Sequence, residues 1–129
     1  MTSGRILVVE DNPRNLKLVR DVLQFSGYEV VEASTGEDSV RLADETLPDL
    51  ILMDLQLPGI DGVEALRRIR ARHGECHLPS VPVVAVTAFA MDQDRQRVYS
   101  SGFDGYVEKP INVRGLLQQV SDLLRRKES

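Results

Sequence analysis

The chain has 129 residues, the length of one ordinary domain, and its 42% hydrophobic and 28% charged residues are globular composition, which excludes a disordered or fibrous chain. With 16 basic against 20 acidic side chains the formal net charge is −4, so no summed charge draws the protein to nucleic acid or to an anionic membrane. The single cysteine, Cys76, cannot close an internal disulfide, and no stretch is apolar for long enough to span a membrane or act as a signal peptide, so a soluble protein of the reducing cytoplasm is expected.

Residues 5–9 (RILVV) are a short β-branched run of the kind buried on both faces of a parallel sheet, and they predict the first strand. Asn12 then offers an N-cap and Pro13 the first position of a helix whose apolar stripe is Leu18, Val19, Val22 and Leu23, with Gly27 ending it. Residues 29–33 (EVVEA) are a weaker strand, and 35–45 a helix with Val40, Leu42 and Ala43 facing inward. Residues 50–53 (LILM) are an uninterrupted apolar strand followed directly by Asp54. Pro58 and Gly59 break the chain before a helix over 62–72, which carries Val63, Leu66 and Ile69 at helical spacing. Strand 81–86 (VPVVAV), a helix from about 91 to 101 stopped by Gly102, strand 105–108 (GYVE) and a helix over 113–126 complete the chain. The last helix is amphipathic through Leu116, Leu117, Val120, Leu123 and Leu124.

Strict alternation of strand and helix, with strands this apolar, predicts an α/β fold: a doubly wound five-stranded parallel sheet with helices on both faces. The common order for five such strands is 2-1-3-4-5, with a ligand crevice at the carboxyl ends of the first and third strands. No repeat, low-complexity tract or linker interrupts the pattern, so a single domain over 1–129 is expected, with its core at 5–126 and no output domain beside it.

Glu10 and Asp11 follow the first strand and Asp54 the third, so three carboxylates meet in that crevice. They repel one another unless a cation or a proton is shared, and a set of carboxylates without clustered His or Cys suits a hard ion of the Mg²⁺ kind. Taken alone, Glu10 and Asp11 are equally explained as acids opening the following helix. Asp54 is not, because it interrupts the apolar run 50–57 where the strand should still be buried. Thr87 closes the fourth strand and Lys109 the fifth, so a hydroxyl and an ammonium converge on the same place. Such a set can hold a phosphoryl group, with Mg²⁺ and Lys109 neutralising its oxygens, the Thr87 hydroxyl donating to one of them, and Asp54 as the nucleophile.

The segments Val9-Glu10-Asp11-Asn12, Leu52-Met53-Asp54-Leu55-Gln56-Leu57-Pro58-Gly59, Asp61-Gly62, Val86-Thr87-Ala88 and Gly105-Tyr106-Val107-Glu108-Lys109-Pro110 together resemble the receiver domain of bacterial two-component response regulators, a flavodoxin-like (CheY-like) fold. Residues 10–18 and 83–91 are similar to the DivK-type single-domain regulators and to receivers appended to hybrid histidine kinases. The resemblance implies that Asp54 takes a phosphoryl group from a phosphohistidine, and that Asp11, Asp54 and the Gln56 carbonyl ligate Mg²⁺ while Glu10 holds metal-bound water. It further implies a cis Lys109–Pro110 bond and a switch pair of Thr87 and Tyr106. A histidine kinase or histidine phosphotransfer protein upstream and a protein target downstream are the implied partners, for a monomer or weak dimer. The chemistry is then signalling, with no turnover beyond the protein's own aspartyl phosphorylation and dephosphorylation.

Three rivals fare worse. A haloacid dehalogenase phosphatase needs a second Asp two residues beyond the nucleophile, where Gln56 stands; a flavodoxin-like cofactor carrier needs a Ser-, Thr- or Gly-rich loop where Glu10-Asp11 stands; and a degenerate adaptor has no use for the full set of acids, Thr87 and Lys109. A receiver excised from a hybrid kinase stays open as an alternative setting. His73, Glu75, Cys76 and His77 make no complete metal set and read as an exposed loop, and the run Arg67, Arg68, Arg70, Arg72 as a solvated face. On the first helix Leu16 falls at the edge of the apolar arc beside the acidic crevice, and a partly exposed leucine there is a candidate docking contact for a histidine-bearing helical bundle.

Overall fold

Five strands and five helices alternate along the chain: β1 (Arg5–Val9), α1 (Pro13–Phe25), β2 (Glu29–Ala33), α2 (Gly36–Thr46), β3 (Leu50–Asp54), α3 (Gly62–Glu75), β4 (Val83–Thr87), α4 (Asp92–Ser100), β5 (Gly105–Glu108) and α5 (Val113–Glu128). The computed structural model describes residues 4–76, 80–88 and 92–128, so His77 and the start of the predicted fourth helix at residue 91 lie outside the described residues. All strand pairs are parallel and the order is β2-β1-β3-β4-β5, the doubly wound arrangement expected from the alternation. Val9 lies opposite Met53, Asp54 opposite Val86, and Thr87 opposite Glu108, so the carboxyl ends of four strands finish together and present their last residues to one crevice.

Short polar side chains start the helices by accepting the backbone N–H groups that no turn satisfies. Asn12 Oδ1 accepts from Arg14 N at 2.9 Å, Thr35 Oγ1 from Asp38 N at 3.0 Å, Asp61 Oδ1 from Glu64 N at 2.8 Å, and Asn112 Oδ1 from Gly115 N at 2.9 Å. At the other end, α2 closes on Leu47, whose φ of 48° is left-handed and costs a branched side chain steric strain.

Alternate strand residues build two cores. Leu7, Val9, Ile51, Met53, Val83 and Ala85 face α2, α3 and α4, where Ala43, Leu66, Ile69 and Val98 meet them. Ile6, Val8, Leu50, Leu52, Val84, Val86 and Val107 face α1 and α5, through Val19, Leu23, Leu116, Val120 and Leu124. A sheet buried on both faces explains why its central strands read as unbroken apolar runs.

The details depart from the sequence reading in five places. β4 begins at Val83, two residues later than expected, because Pro82 has no N–H to give to the ladder, and it runs on through Thr87. On α1 the buried arc is centred between Val19 and Leu23, and at about 100° per residue this turns Leu18 outward, 42% exposed, and Leu16 toward the core, against which it packs partly buried. On α3 the inward arc runs through Ala65, Leu66, Ile69 and His73, which leaves Val63 off it and 39% exposed. His73 is therefore no loop residue: α3 extends to Glu75, and the imidazole is buried with no hydrogen-bond partner for either ring nitrogen among the described residues. The arginine run is not simply solvated either, since Arg70 donates to the Val81 carbonyl and pairs with Asp104 at 2.9 Å, tying α3 to the approach to β5. Among the described residues no helix is long and apolar enough to cross a membrane.

Candidate functional site

Glu10, one residue past β1, and Asp54, the last residue of β3, are buried at 4% and 2% exposure, while Asp11 beside them is open to solvent. One carboxylate oxygen from each lies within 4.8 Å of the others, so the three acids form a cluster with two inner members and one outer. Lys109 reaches into it from the end of β5: its Nζ stands 2.9 Å from Asp54 Oδ2 and 3.1 Å from Glu10 Oε1. The other Asp54 oxygen, Oδ1, accepts from the backbone N–H of Gln56 at 2.9 Å, and Glu10 Oε2 accepts from Asn12 N at 3.3 Å. Each buried carboxylate thus meets the shared Lys109 ammonium and one peptide N–H, which offset the cost of burying acids in so apolar a place.

The electrostatics show how crowded the acids are. Burial, and then the neighbouring Asp54, push the Glu10 pKa up to about 7, against the Asn12 N–H and Lys109, which pull it down. For Lys109 burial opposes the charge, and the contacts with Asp54 and Glu10 more than restore it, leaving its pKa raised. One ammonium among three carboxylates leaves the cluster short of positive charge. A hard divalent cation fits this donor set: two buried carboxylates fix one side, and the exposed Asp11 leaves the other open to water, the arrangement Mg²⁺ favours.

The loop after Asp54 is drawn tightly against it. A Cβ at Gly62 would stand 2.6 Å from the Asp54 carbonyl oxygen and 2.9 Å from Leu55 Cα, so only glycine lets α3 begin so close to the site. At the far end of the loop the Ile60 N–H donates to Glu37 Oε1 of α2 at 3.3 Å. Thr87 ends β4 at 1% exposure, Tyr106 lies within β5 at 8%, and the Lys109–Pro110 peptide bond is cis. Gln56 is exposed and Leu16 partly buried on α1. Glu10, Asp11, Asp54 and Lys109 are brought together, and Thr87 joins the same row of strand ends.

Sequence reasoning missed two residues around Tyr106, Arg95 and Gln119. The Arg95 guanidinium of α4 lies over the Tyr106 ring, 5.5 Å from its centroid, and pairs with Glu108 at 3.6 Å. From the other side Gln119 of α5 meets the Tyr106 backbone. These contacts join residues far apart in sequence, and no spacing or motif announces them.

A parallel sheet of this order, with paired acids, a hydroxyl and a lysine at its carboxyl edge, has the architecture of a receiver-type signalling domain. The response regulator receiver domain model matches residues 6–121, and the chain belongs to that family. It is 40% identical over 119 residues to the polar-differentiation response regulator DivK of Brucella anthropi, an alignment covering 92% of this chain and 94% of that one. Among solved structures it is similar to the receiver domain of sensor histidine kinase PA1611 of Pseudomonas aeruginosa, at 36% identity and a TM-score of 0.83, covering 94% and 97% of the two chains; that structure has a magnesium ion coordinated in the active site cleft. The receiver domain of Francisella response regulator 1452 matches with a TM-score of 0.88 at 22% identity, covering 97% and 99%, and so supports the fold. This chain is a DivK-like response regulator receiver domain, a signalling protein.

Proposed function

We propose that Asp54 is the phosphoacceptor of a phosphorelay, taking its phosphoryl group from a phosphohistidine of a histidine kinase or histidine phosphotransfer protein. The P–N bond breaks with its electron pair returning to the imidazole as a P–O bond forms to the Asp54 carboxylate. The observation that carries this is the environment of Asp54: a carboxylate 2% exposed at the end of a central strand, 2.9 Å from Lys109 Nζ and inside a cluster of three acids. Glu10, Asp11, Asp54 and the Gln56 carbonyl would hold Mg²⁺, which neutralises phosphoryl oxygens when bound. Lys109 transfers its contact from the bare carboxylate to the acyl phosphate, and the Thr87 hydroxyl donates to a phosphoryl oxygen. Tyr106 follows Thr87, and this pair carries the signal to a protein target. Leu16, partly buried on α1, supplies a contact for the donor.

The similarity to the PA1611 receiver favours a second setting for the same chemistry, a receiver within a hybrid histidine kinase. Acetyl phosphate and mass spectrometry test the reading: label is expected on Asp54, reduced at least a hundredfold in Asp54→Asn or with chelator. Label that persists in either overturns it. With a phosphohistidine donor, Leu16→Ala should slow transfer at least fivefold while acetyl phosphate labels Asp54 at the normal rate; no slowing removes Leu16 from docking, and equal slowing with both donors marks damaged folding.

A further inference from the structure

β5 is the edge of the sheet, paired with β4 alone, so the outward N–H and C=O of its residues lack a strand partner. At Tyr106 both groups are satisfied by one side chain. Gln119 Oε1 accepts from the Tyr106 N–H at 3.2 Å, and Gln119 Nε2 donates to the Tyr106 carbonyl at 2.6 Å. A primary amide carries a donor and an acceptor side by side, as a neighbouring strand would, so Gln119 stands in for the missing sixth strand at this one position. Gly105 makes the approach possible: a Cβ there would stand 2.8 Å from Gln119 Oε1. The ring of the same tyrosine is held differently. Arg95 covers it from α4 at 5.5 Å, and beyond Arg95 a cavity of about 470 Å³, lined by Tyr99, Tyr106, Gly115 and Gln119 among others, separates α4 from α5. The backbone of Tyr106 is bound to α5 by two hydrogen bonds, while its ring lies under an exposed cation of α4 beside open space.

We infer that Gln119 is a positioning residue that pins the Tyr106 backbone to α5, so that a change at Tyr106 is confined to its ring and delivered to α4. The inference rests on the reading that Tyr106 responds to events at Asp54. A ring can turn in a defined direction only about a fixed Cα, and the two amide bonds supply that fixed point. With the pin removed, β5 absorbs the movement as backbone displacement and α4 receives less of it.

Amide hydrogen exchange and beryllofluoride, a phosphoryl mimic, test this on the full chain by NMR. In the unliganded protein, Gln119→Leu should speed exchange at the Tyr106 amide at least tenfold, with Leu7 and Leu52 in the central strands unchanged as the check on folding. Gly105→Ala, which displaces the amide from the other side, should speed the same amide at least fivefold. With beryllofluoride, Gln119→Leu should at least halve the amide shifts over residues 95–100 while those around Asp54 keep their full size. Tyr106 exchange within threefold of normal in Gln119→Leu overturns the pin, as does a full response in α4. If beryllofluoride leaves the Asp54 loop unshifted in the unmodified protein, the phosphoacceptor reading fails instead, and the pin stands or falls on exchange alone.

Discussion

The two flanks of the sheet are built to different standards. On one, α2 and α3 pack along each other, joined by the Arg72–Asp44 pair at 3.3 Å and by Glu37 of α2 accepting from Ile60 of the β3–α3 loop, with Ala43, Ala65, Leu66 and Ile69 at most 1% exposed beneath them. On the other, Tyr99 of α4 is 53% exposed, and about 470 Å³ of space lies between α4 and α5. The acid cluster sits between them. A tightly packed flank holds the loop after Asp54 against the site, and open space beside α4 leaves the other flank room to rearrange, as the proposed function requires.

The contrast is broken most severely on the packed side. Leu66→Ala should remove about 3 kcal/mol of stability by opening a cavity under α3, seen as a lowered urea midpoint with the slope unchanged, while Tyr99→Ala stays within about 0.5 kcal/mol. Similar losses from both would show that the flanks do not differ.

The second effect falls on the cluster itself. The folded pKa of Glu10, about 7, lies above the ordinary 4.5, so the native state holds a proton that the unfolded state releases. Its contribution is fully present below about pH 4.5 and is lost as pH rises through 7, of the order of 3 kcal/mol for the whole shift. Metal-free protein should therefore melt at progressively lower temperature from pH 5 to pH 8, and Mg²⁺ should raise the melting temperature more at pH 8 than at pH 5, because its binding displaces that proton. A Mg²⁺ effect equal at both ends of the range, or larger at pH 5, would remove Glu10 from the metal site.

The smallest effect sharpens the picture of the packed flank. Leu47, 53% exposed with a φ of 48°, carries strain at the end of α2. Leu47→Asn, a residue more at ease in that conformation, should stabilise by about 0.5 kcal/mol, measured as a rise in urea midpoint.

Much of this molecule is written locally. The apolar runs at 6–9, 50–53 and 83–86, the caps Asn12, Thr35 and Asp61, and the stops at Gly27 and Gly102 determine which residues are strand and which are helix, because each depends on neighbours within a few positions. Alternation of strand and helix then leaves few topologies, and the order β2-β1-β3-β4-β5 gathers Glu10, Asp11, Asp54, Thr87 and Lys109 without further information. Helix rotation was the first thing to escape: Leu18 and Val63 face outward and His73 inward because the arc each helix buries is set by the helix and sheet it packs against. The contacts on Tyr106 escaped altogether. Arg95 and Gln119 are unremarkable in sequence, and only packing α4 and α5 beside the sheet edge brings a guanidinium over the ring and an amide onto the backbone. The sequence by itself determined the elements, their order and the acid cluster, since these follow from periodicity and chain direction; the tertiary structure alone decided how tightly each flank is held, since that depends on distances between residues the chain does not connect.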